Sequence, residues 1–202
     1  MPFLATVISS NTSSVFSPFA ESIIFATIIR RVTTNTCDYT VEKSKSVWEK
    51  QISLSMIAQT RLKALSSKYQ NSVFPLPDDP MHIFTMMLAH ASVLYLYNIQ
   101  HSLVHMAQND PSAVLALEHD SLLAAGEILN LSTSILRLSF LKVHPFTPLL
   151  LAKCIEFYNT HHDLDEFSRP PIQQLYSLLK DMSKVNNIAR EYLSPKHTAG
   201  WS

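Results

Sequence analysis

The pattern of hydrophobic and polar positions divides the chain into helical segments separated by prolines and polar clusters. The most apolar segment, 81–106, is hydrophobic on almost every face. A helix without a polar face is normally covered by other elements on most sides. At 1.5 Å per residue it would extend about 40 Å, enough to cross a domain. We expect it to be the central core helix, with Pro80 in its first turn and Asp78 and Asp79 at its positive end.

Six other segments carry a helical pattern and are bounded by breakers. The pattern predicts helices over 19–31, 41–68, 111–141, 145–158, 168–182 and 185–193. Ser17 is a suitable N-cap for the first of them, and Pro18 suits its first helical position. The intervening segments, which are rich in proline, asparagine and aspartate, are expected to be loops.

The segment 111–141 has the clearest apolar seam. Residues three or four apart form it: Val114, Leu117, Ser121, Ala124, Ile128, Leu131, Ile135 and Leu138. A second stripe, Leu115, Leu122, Leu129 and Leu136, widens the seam enough to pack on two neighbours. Gly126 lies inside this helix at a cost of about 1 kcal/mol relative to alanine, so we expect it to mark a close helix crossing.

No segment shows the strict alternation of a half-buried strand, and two glycines in the whole chain disfavour hairpins and phosphate-binding loops. We predict an all-α fold, a multi-helix bundle of about seven helices. The expected organisation is a disordered or extended N-terminus over 1–16, one helical domain over 17–193, and a loose tail over 194–202.

Composition suggests that this helical body has little polar surface. Hydrophobic residues make up 47% of the chain and charged residues 16%, against about 25% charged in typical soluble domains. The stretch 69–136 contains six acids and no lysine or arginine, whereas 30–68 contains eight basic residues and three acids. DNA binding normally requires a dense basic face. We therefore expect no direct nucleic-acid binding, and a partner or more chain to cover apolar faces.

Targeting and redox signals favour an intracellular soluble protein. Cys37 and Cys154 are 117 positions apart and form neither a disulfide framework nor a zinc motif. The N-terminus lacks the basic region of a signal peptide. No apolar run reaches the length of a membrane span, so no membrane association is expected.

Two groups of histidines have spacings that bear on metal binding. His101 and His105 lie four residues apart on one helical face, which can suit a metal. The zinc-protease pattern needs glutamate after the first histidine, where Ser102 stands, and no third ligand is evident. A predicted loop could also chelate through His161, His162, Asp163 and Asp165. We expect a polar stripe or cap for the first pair, a solvated connector for the loop, and no metal site.

Catalytic groups are equally sparse. Glu118, His119 and Asp120 are consecutive on a predicted helix and point in different directions, so they do not form a catalytic cluster by themselves. Cys154 lies in an apolar helix and is expected to be a small core residue. No nucleophile-elbow, Walker or dinucleotide-binding motif occurs. We predict no catalytic residue, no cofactor and no enzymatic activity, while a small-molecule pocket between the helices stays open.

Taken in order, several segments resemble the fungal-specific transcription factor domain, or middle homology region, of binuclear zinc-cluster activators. They are most similar to the xylanolytic-regulator-like branch. The similar segments are SPFAESIIFATIIRRV (17–32), a helix around Trp48, FPLP (74–77), MMLAHASVLYLYNI (86–99) and AAGEILNLSTSILRLSFLKVHPFTPLLLAKCIEFY (124–158). His90 falls in the family's "LH" pair, and Pro145 and Phe146 in its "PF" pair. Tyr97 stands where the family often has a second histidine.

This resemblance covers about 17–193 and implies a helical regulatory module rather than a catalyst. In that family the region controls DNA-binding activators, by sensing metabolites or through protein contacts. The six-cysteine zinc cluster, basic linker, coiled coil and first half of the regulatory region have no counterpart here. Two cysteines cannot hold a binuclear zinc cluster. The expectation is a truncated, C-terminal half of a larger regulatory domain that acts in the nucleus or cytoplasm.

The expected contacts are a protein partner or a full-length related transcription factor, with an unidentified small-molecule effector possible. Three alternatives remain open from the sequence. The chain could be a fragment without a stable fold, which would bind hydrophobic dyes. It could be a small helical enzyme, or a ligand- or lipid-binding protein, with a closed pocket and a perturbed acid or histidine. A fungal origin follows from the resemblance alone.

Overall fold

The computed structural model describes residues 16–34, 44–70, 79–107, 111–161 and 169–194, without the side chains of 44–47, 70, 102–107, 111–114, 161 and 169. These residues form seven α-helices and no strand, which confirms the predicted all-α class. The helices are α1 Pro18–Thr34, α2 Ser44–Gln70, α3 Pro80–Ala107, α4 Pro111–Ile135, α5 Thr147–His161, α6 Arg169–Met182 and α7 Asn187–Tyr192. Domain limits at 16 and 194 stay a prediction.

Helix α3 lies at the centre of the bundle, as its all-round hydrophobicity predicts. It packs most extensively on α4, α1 and α2, and also on α5. Met87 and Leu94 on this helix are completely buried. A second layer is built on α5, which contacts α4, α6 and α7. Buried side chains from all seven helices join in one continuous hydrophobic core.

The starts of α1 and α3 follow the sequence signals. Ser17 Oγ accepts a hydrogen bond from the Ala20 amide at 3.3 Å, and Asp79 Oδ1 accepts one from the Met81 amide at 2.9 Å. Each polar side chain pairs an amide that has no partner inside its helix. Thr85 Oγ1 also donates to the Pro18 carbonyl at 2.9 Å and so joins the first turns of the two helices.

The predicted limits between the fourth and fifth helices are wrong. Helix α4 ends at Ile135 and α5 begins at Thr147, with turns over 136–146. From Arg137 onward the amides of this segment bond to carbonyls three residues back, as Leu138 does at 3.0 Å. Such tighter bonds close a helix. The seam at Leu138 stays half-buried, but a turn rather than a helix holds it against the core.

Two expectations about α4 need correction. A Cβ atom added to Gly126 would meet nothing within 4 Å, so this glycine does not mark a close helix crossing. Helix α4 packs on α3, α5 and α6, so it has more than one neighbour as the widened seam predicts. Of the second leucine stripe only Leu129 packs against the core, because Leu115, Leu122 and Leu136 are exposed. The seam itself, through Ala124 and Ile128, is buried as predicted. No helix in the described part of the chain is both long and apolar enough to traverse a bilayer.

Candidate functional site

Two concave surfaces lie against the central helix. The first, the His90 cleft, lies between α2, α3 and α4 and has a volume of about 370 Å³. Its lining is mostly apolar, with polar groups from α2 and α4. The residues that define it are Gln59, Leu62, Lys63, Ser66, Ser67, His90, Val93, Asp120, Leu123, Ala124 and Glu127.

His90 is the buried titratable group of this cleft. Its side chain is 8% exposed, and its Nδ1 has no hydrogen-bond partner among the described residues. Burial lowers the pKa of His90 to about 4, because an imidazolium would lose its hydration. The ring is therefore neutral near pH 7, with one donor nitrogen and one acceptor nitrogen.

A hydrogen bond holds α2 and α4 together across the cleft. Gln59 Nε2 donates to Asp120 Oδ2 at 2.6 Å. Lys63 and Glu127 are exposed, and Asp120 is partly exposed, so the polar groups lie toward solvent while His90 is buried. The cleft is thus already formed, with charged groups outside and a neutral polar ring inside.

The second concave surface, the Phe146 groove, lies between α1, α3 and the start of α5. Its volume is about 360 Å³, and its lining is mostly apolar. The residues that define it are Ser22, Ile23, Ala26, Ile29, Phe84, Leu88, Tyr95, His144, Phe146, Leu149 and Leu150. His144 stacks on Phe84 with ring centroids 3.6 Å apart, and burial lowers the pKa of His144. This groove offers apolar surface with little polar chemistry.

A buried ion pair supports the helices around both surfaces. Arg61 Nε and Nη2 donate to the two carboxylate oxygens of Glu21 at 3.1 and 2.6 Å, and the two side chains are 6% and 1% exposed. Phe16 completes the arrangement: its amide donates to Glu21 at 3.0 Å and its ring lies 5.4 Å from the guanidinium. This pair was not predicted, although a single acid in the apolar start of α1 was a usable signal.

The histidine pairs of the sequence are only partly described. His101 lies half-buried on α3 with its ring 5.6 Å from that of Tyr97. The side chains of His105 and His161, and all of His162, Asp163 and Asp165, lie outside the described residues. Where side chains are described, no group of three or more potential ligands is placed to hold a metal ion. The prediction of no metal site therefore stays a prediction.

The structure separates the other candidates. His119 Nδ1 lies 3.8 Å from Asp120 Oδ1 on the exposed side of α4, so these two meet, but at a solvated position worth little energy. Cys154 is completely buried, and its thiol donates to the Ala125 carbonyl with a 3.6 Å separation. Burial raises the pKa of Cys154 to about 12. A thiol held protonated in this way is unreactive, as expected of a core cysteine.

The residues of the family resemblance occupy different environments. His90 lines its cleft, and Phe146 lines its groove. Tyr97 is buried, with its ring edge-on to Phe157 at 5.6 Å. Pro145 precedes α5 and its carbonyl accepts from Asn186 Nδ2 at 3.0 Å, which ties α7 to the turn before α5. Of these four residues, His90 and Phe146 line the two concave surfaces described above.

The comparisons with known proteins agree on one class of relative. The tropolone cluster transcription factor of Talaromyces stipitatus is 52% identical over 198 residues, which are 96% of this chain and 36% of the relative. The pigment biosynthesis transcriptional activator of Monascus ruber is 34% identical over 194 residues, 94% of this chain and 34% of the relative. The chain is homologous to fungal secondary-metabolite cluster transcription factors.

A third relative matches a similar share of this chain. The citrinin biosynthesis transcriptional activator of Monascus purpureus is 30% identical over 199 residues, 95% of this chain and 34% of the relative. The chain thus spans about a third of the length of these relatives. No protein-family model matches it, and no solved structure matches it. The relatives are named for transcription and not for catalysis, in agreement with the predicted absence of enzymatic activity.

Proposed function

We propose that this chain is a non-catalytic regulatory module of fungal transcription factors, of the middle homology type, which acts in the nucleus. The observation that carries the proposal is the 52% identity to the tropolone cluster transcription factor, extending over 96% of this chain. The similarity covers the whole central helix and its neighbours rather than one short motif. The relatives act on gene clusters for secondary metabolites, and we propose the same class of target here.

The module is proposed to act through contacts with a protein, either a separate partner or a full-length related transcription factor. The exposed leucine stripe of α4 is a suitable contact surface, because large apolar patches are uncommon on isolated proteins. Direct reading of DNA is not part of the proposal. The stretch 69–136, which supplies all of α3 and α4, contains no lysine or arginine to neutralise phosphates.

A reporter assay tests the proposal. The chain would be fused to an unrelated DNA-binding domain in a fungal host, with the DNA-binding domain alone as the reference. We expect the fusion to change transcription of the reporter severalfold. Phe25→Asp, which places a charge in the core, should abolish the effect. Leu141→Glu, at a side chain 82% exposed, should preserve it.

A second arm tests the protein contact. The chain would be supplied in trans to a strain in which a full-length relative drives its own cluster promoter. We expect the chain to change expression from that promoter, and to co-purify with the relative. The proposal fails if the folded chain, present at normal levels, alters transcription in neither arm. Ligand binding is a second candidate function, favoured by the His90 cleft, and the two are compatible.

A further inference from the structure

The His90 cleft combines an apolar wall with an unpaired polar ring, and this combination points to a ligand. Nearly all buried polar groups in proteins have a hydrogen-bond partner, and an unpaired one costs about 1–3 kcal/mol. Nδ1 of His90 is buried, and no described residue pairs it. The ring lines the cleft, but Nδ1 itself has almost no accessible surface, so a molecule in the cleft reaches it only after the His90 side chain turns toward the cleft.

Water alone is a poor occupant of this space. A volume of about 370 Å³ exceeds the share of one water molecule, about 30 Å³, roughly tenfold. Most of these waters would face apolar side chains such as Leu62, Val93 and Leu123. Displacing water from such a surface with an apolar group is favourable. The volume lies at the small end of ligand pockets, which start at about 300 Å³.

The polar groups of the cleft select the chemistry of the occupant. A hydroxyl group can donate to the unprotonated nitrogen of the neutral His90 imidazole, whereas an ether oxygen cannot. Two carboxylates, Asp120 and Glu127, and one ammonium, Lys63, surround the opening. This excess of negative charge disfavours an anionic ligand. The Gln59–Asp120 hydrogen bond keeps the walls in place before binding.

We propose that the His90 cleft binds a small, uncharged, mainly apolar molecule that carries a hydroxyl group. The apolar body packs between α2 and α4 on Leu62 and Leu123, and the hydroxyl pairs with the imidazole of His90. The occupant contacts three helices, the central α3 and its neighbours α2 and α4. As an effector site for transcription, this inference rests on the proposed regulatory function; as a binding site, it is tested by itself.

The test uses purified chain and three probes that share one ring system: 2-naphthol, its methyl ether 2-methoxynaphthalene, and 2-naphthoate. Binding is measured by calorimetry and by ligand-observed NMR at pH 7. We expect 2-naphthol to bind about 5- to 10-fold more tightly than the ether, which lacks the donor, and naphthoate to bind most weakly. 1-Decanol, added as a competitor, distinguishes a preference for ring compounds from one for aliphatic alcohols.

Two variants test the position of the ligand. His90→Phe keeps a ring and removes the unpaired polar atom, so it should fold, and we expect the preference for naphthol over the ether to vanish. Leu123→Glu, at a cleft side chain that is 58% exposed, should weaken the binding of naphthol and of its ether at least tenfold. Leu115→Glu is the matched control: it lies on the same helix, is 66% exposed and does not line the cleft, and it should leave binding unchanged.

Several results would overturn the inference. These are no saturable binding, equal affinity for naphthol and its ether, tighter binding of naphthoate, or equal losses from Leu123→Glu and Leu115→Glu. If the chain changes reporter transcription but binds none of the probes, the ligand site is refuted and the regulatory function still stands. Binding without any effect on transcription would refute the regulatory function alone.

Discussion

Arg61 and Glu21 are buried together, so removing either one leaves the other charge without compensation inside the protein. Loss of one member of such a pair typically costs 3–5 kcal/mol, whereas replacing both by apolar residues can be nearly neutral. We expect Arg61→Met to lower the free energy of unfolding by about 3–5 kcal/mol, and Glu21→Leu with Arg61→Met to restore much of it. Urea denaturation measures both. A single variant within 1 kcal/mol of wild type would contradict this account.

The protonation of a second single residue, His90, makes the stability of the protein depend on pH. Its pKa in the folded protein, about 4, lies below the ordinary 6.5, so the unfolded chain binds more protons between these values. The contribution of His90 to the free energy of unfolding is therefore constant above pH 7 and falls as the pH drops from 6.5 toward 4. By pH 4.5 the loss from this residue is about 2–3 kcal/mol.

Replacing the ring by an apolar one should remove that part of the acid sensitivity. We expect His90→Phe to lose about 2–3 kcal/mol less than wild type between pH 7 and pH 4.5 in urea denaturation. Leu141→Gln, at an exposed side chain that does not titrate, is the control and should follow the wild-type profile. Parallel pH profiles for wild type and His90→Phe would show that the buried ring does not stay neutral in the folded state.

Among the elements, α4 shows what hydrophobic periodicity can and cannot predict. Its buried seam was predicted correctly, because apolar residues at a spacing of 3.6 residues lie on one face of a helix and that face is the one that packs on the core. Its end at Ile135 was not predictable, since leucines continue to 141 and only the change to three-residue hydrogen bonds ends the helix. The role of Gly126 was misjudged because a missing side chain indicates space for a neighbour without showing that a neighbour is there.

That empty space makes Gly126 a site for stabilisation. An alanine there would meet no atom within 4 Å and would restrict the unfolded chain. We expect Gly126→Ala to raise the free energy of unfolding by up to about 1 kcal/mol, the difference in helix propensity. Ala116→Gly, at an exposed position of the same helix, should lower it by a similar amount. A destabilised Gly126→Ala protein, measured in the same urea titrations, would contradict the open environment.

At the scale of the whole molecule, the sequence was sufficient for the class and the centre of the fold, because α3 is too apolar to lie anywhere else. The candidate site could not be predicted from the sequence. His90 lies on the same apolar helix as many core residues, and only the packing of α2 and α4 against it leaves a cleft at that ring. Asp120 and Glu127 are seven residues apart on one face of α4, but Lys63 comes from a distant part of the chain, and no spacing in the sequence connects it to them.

The continuous core favours a folded module over a fragment without stable structure. All seven helices contribute buried side chains to one cluster, and aromatic residues such as Phe25, Tyr97 and Phe157 lie inside it. We therefore expect the chain alone to show a fixed near-ultraviolet circular dichroism signal and one cooperative urea transition. The exposed leucines of α4 and of the turn after it should promote self-association, which Leu115→Glu with Leu136→Glu should reduce without lowering the transition midpoint. Size-exclusion chromatography with light scattering measures the self-association. A flat near-ultraviolet spectrum with strong dye binding would identify a loosely packed helical state, and the core described here would then need additional chain to form.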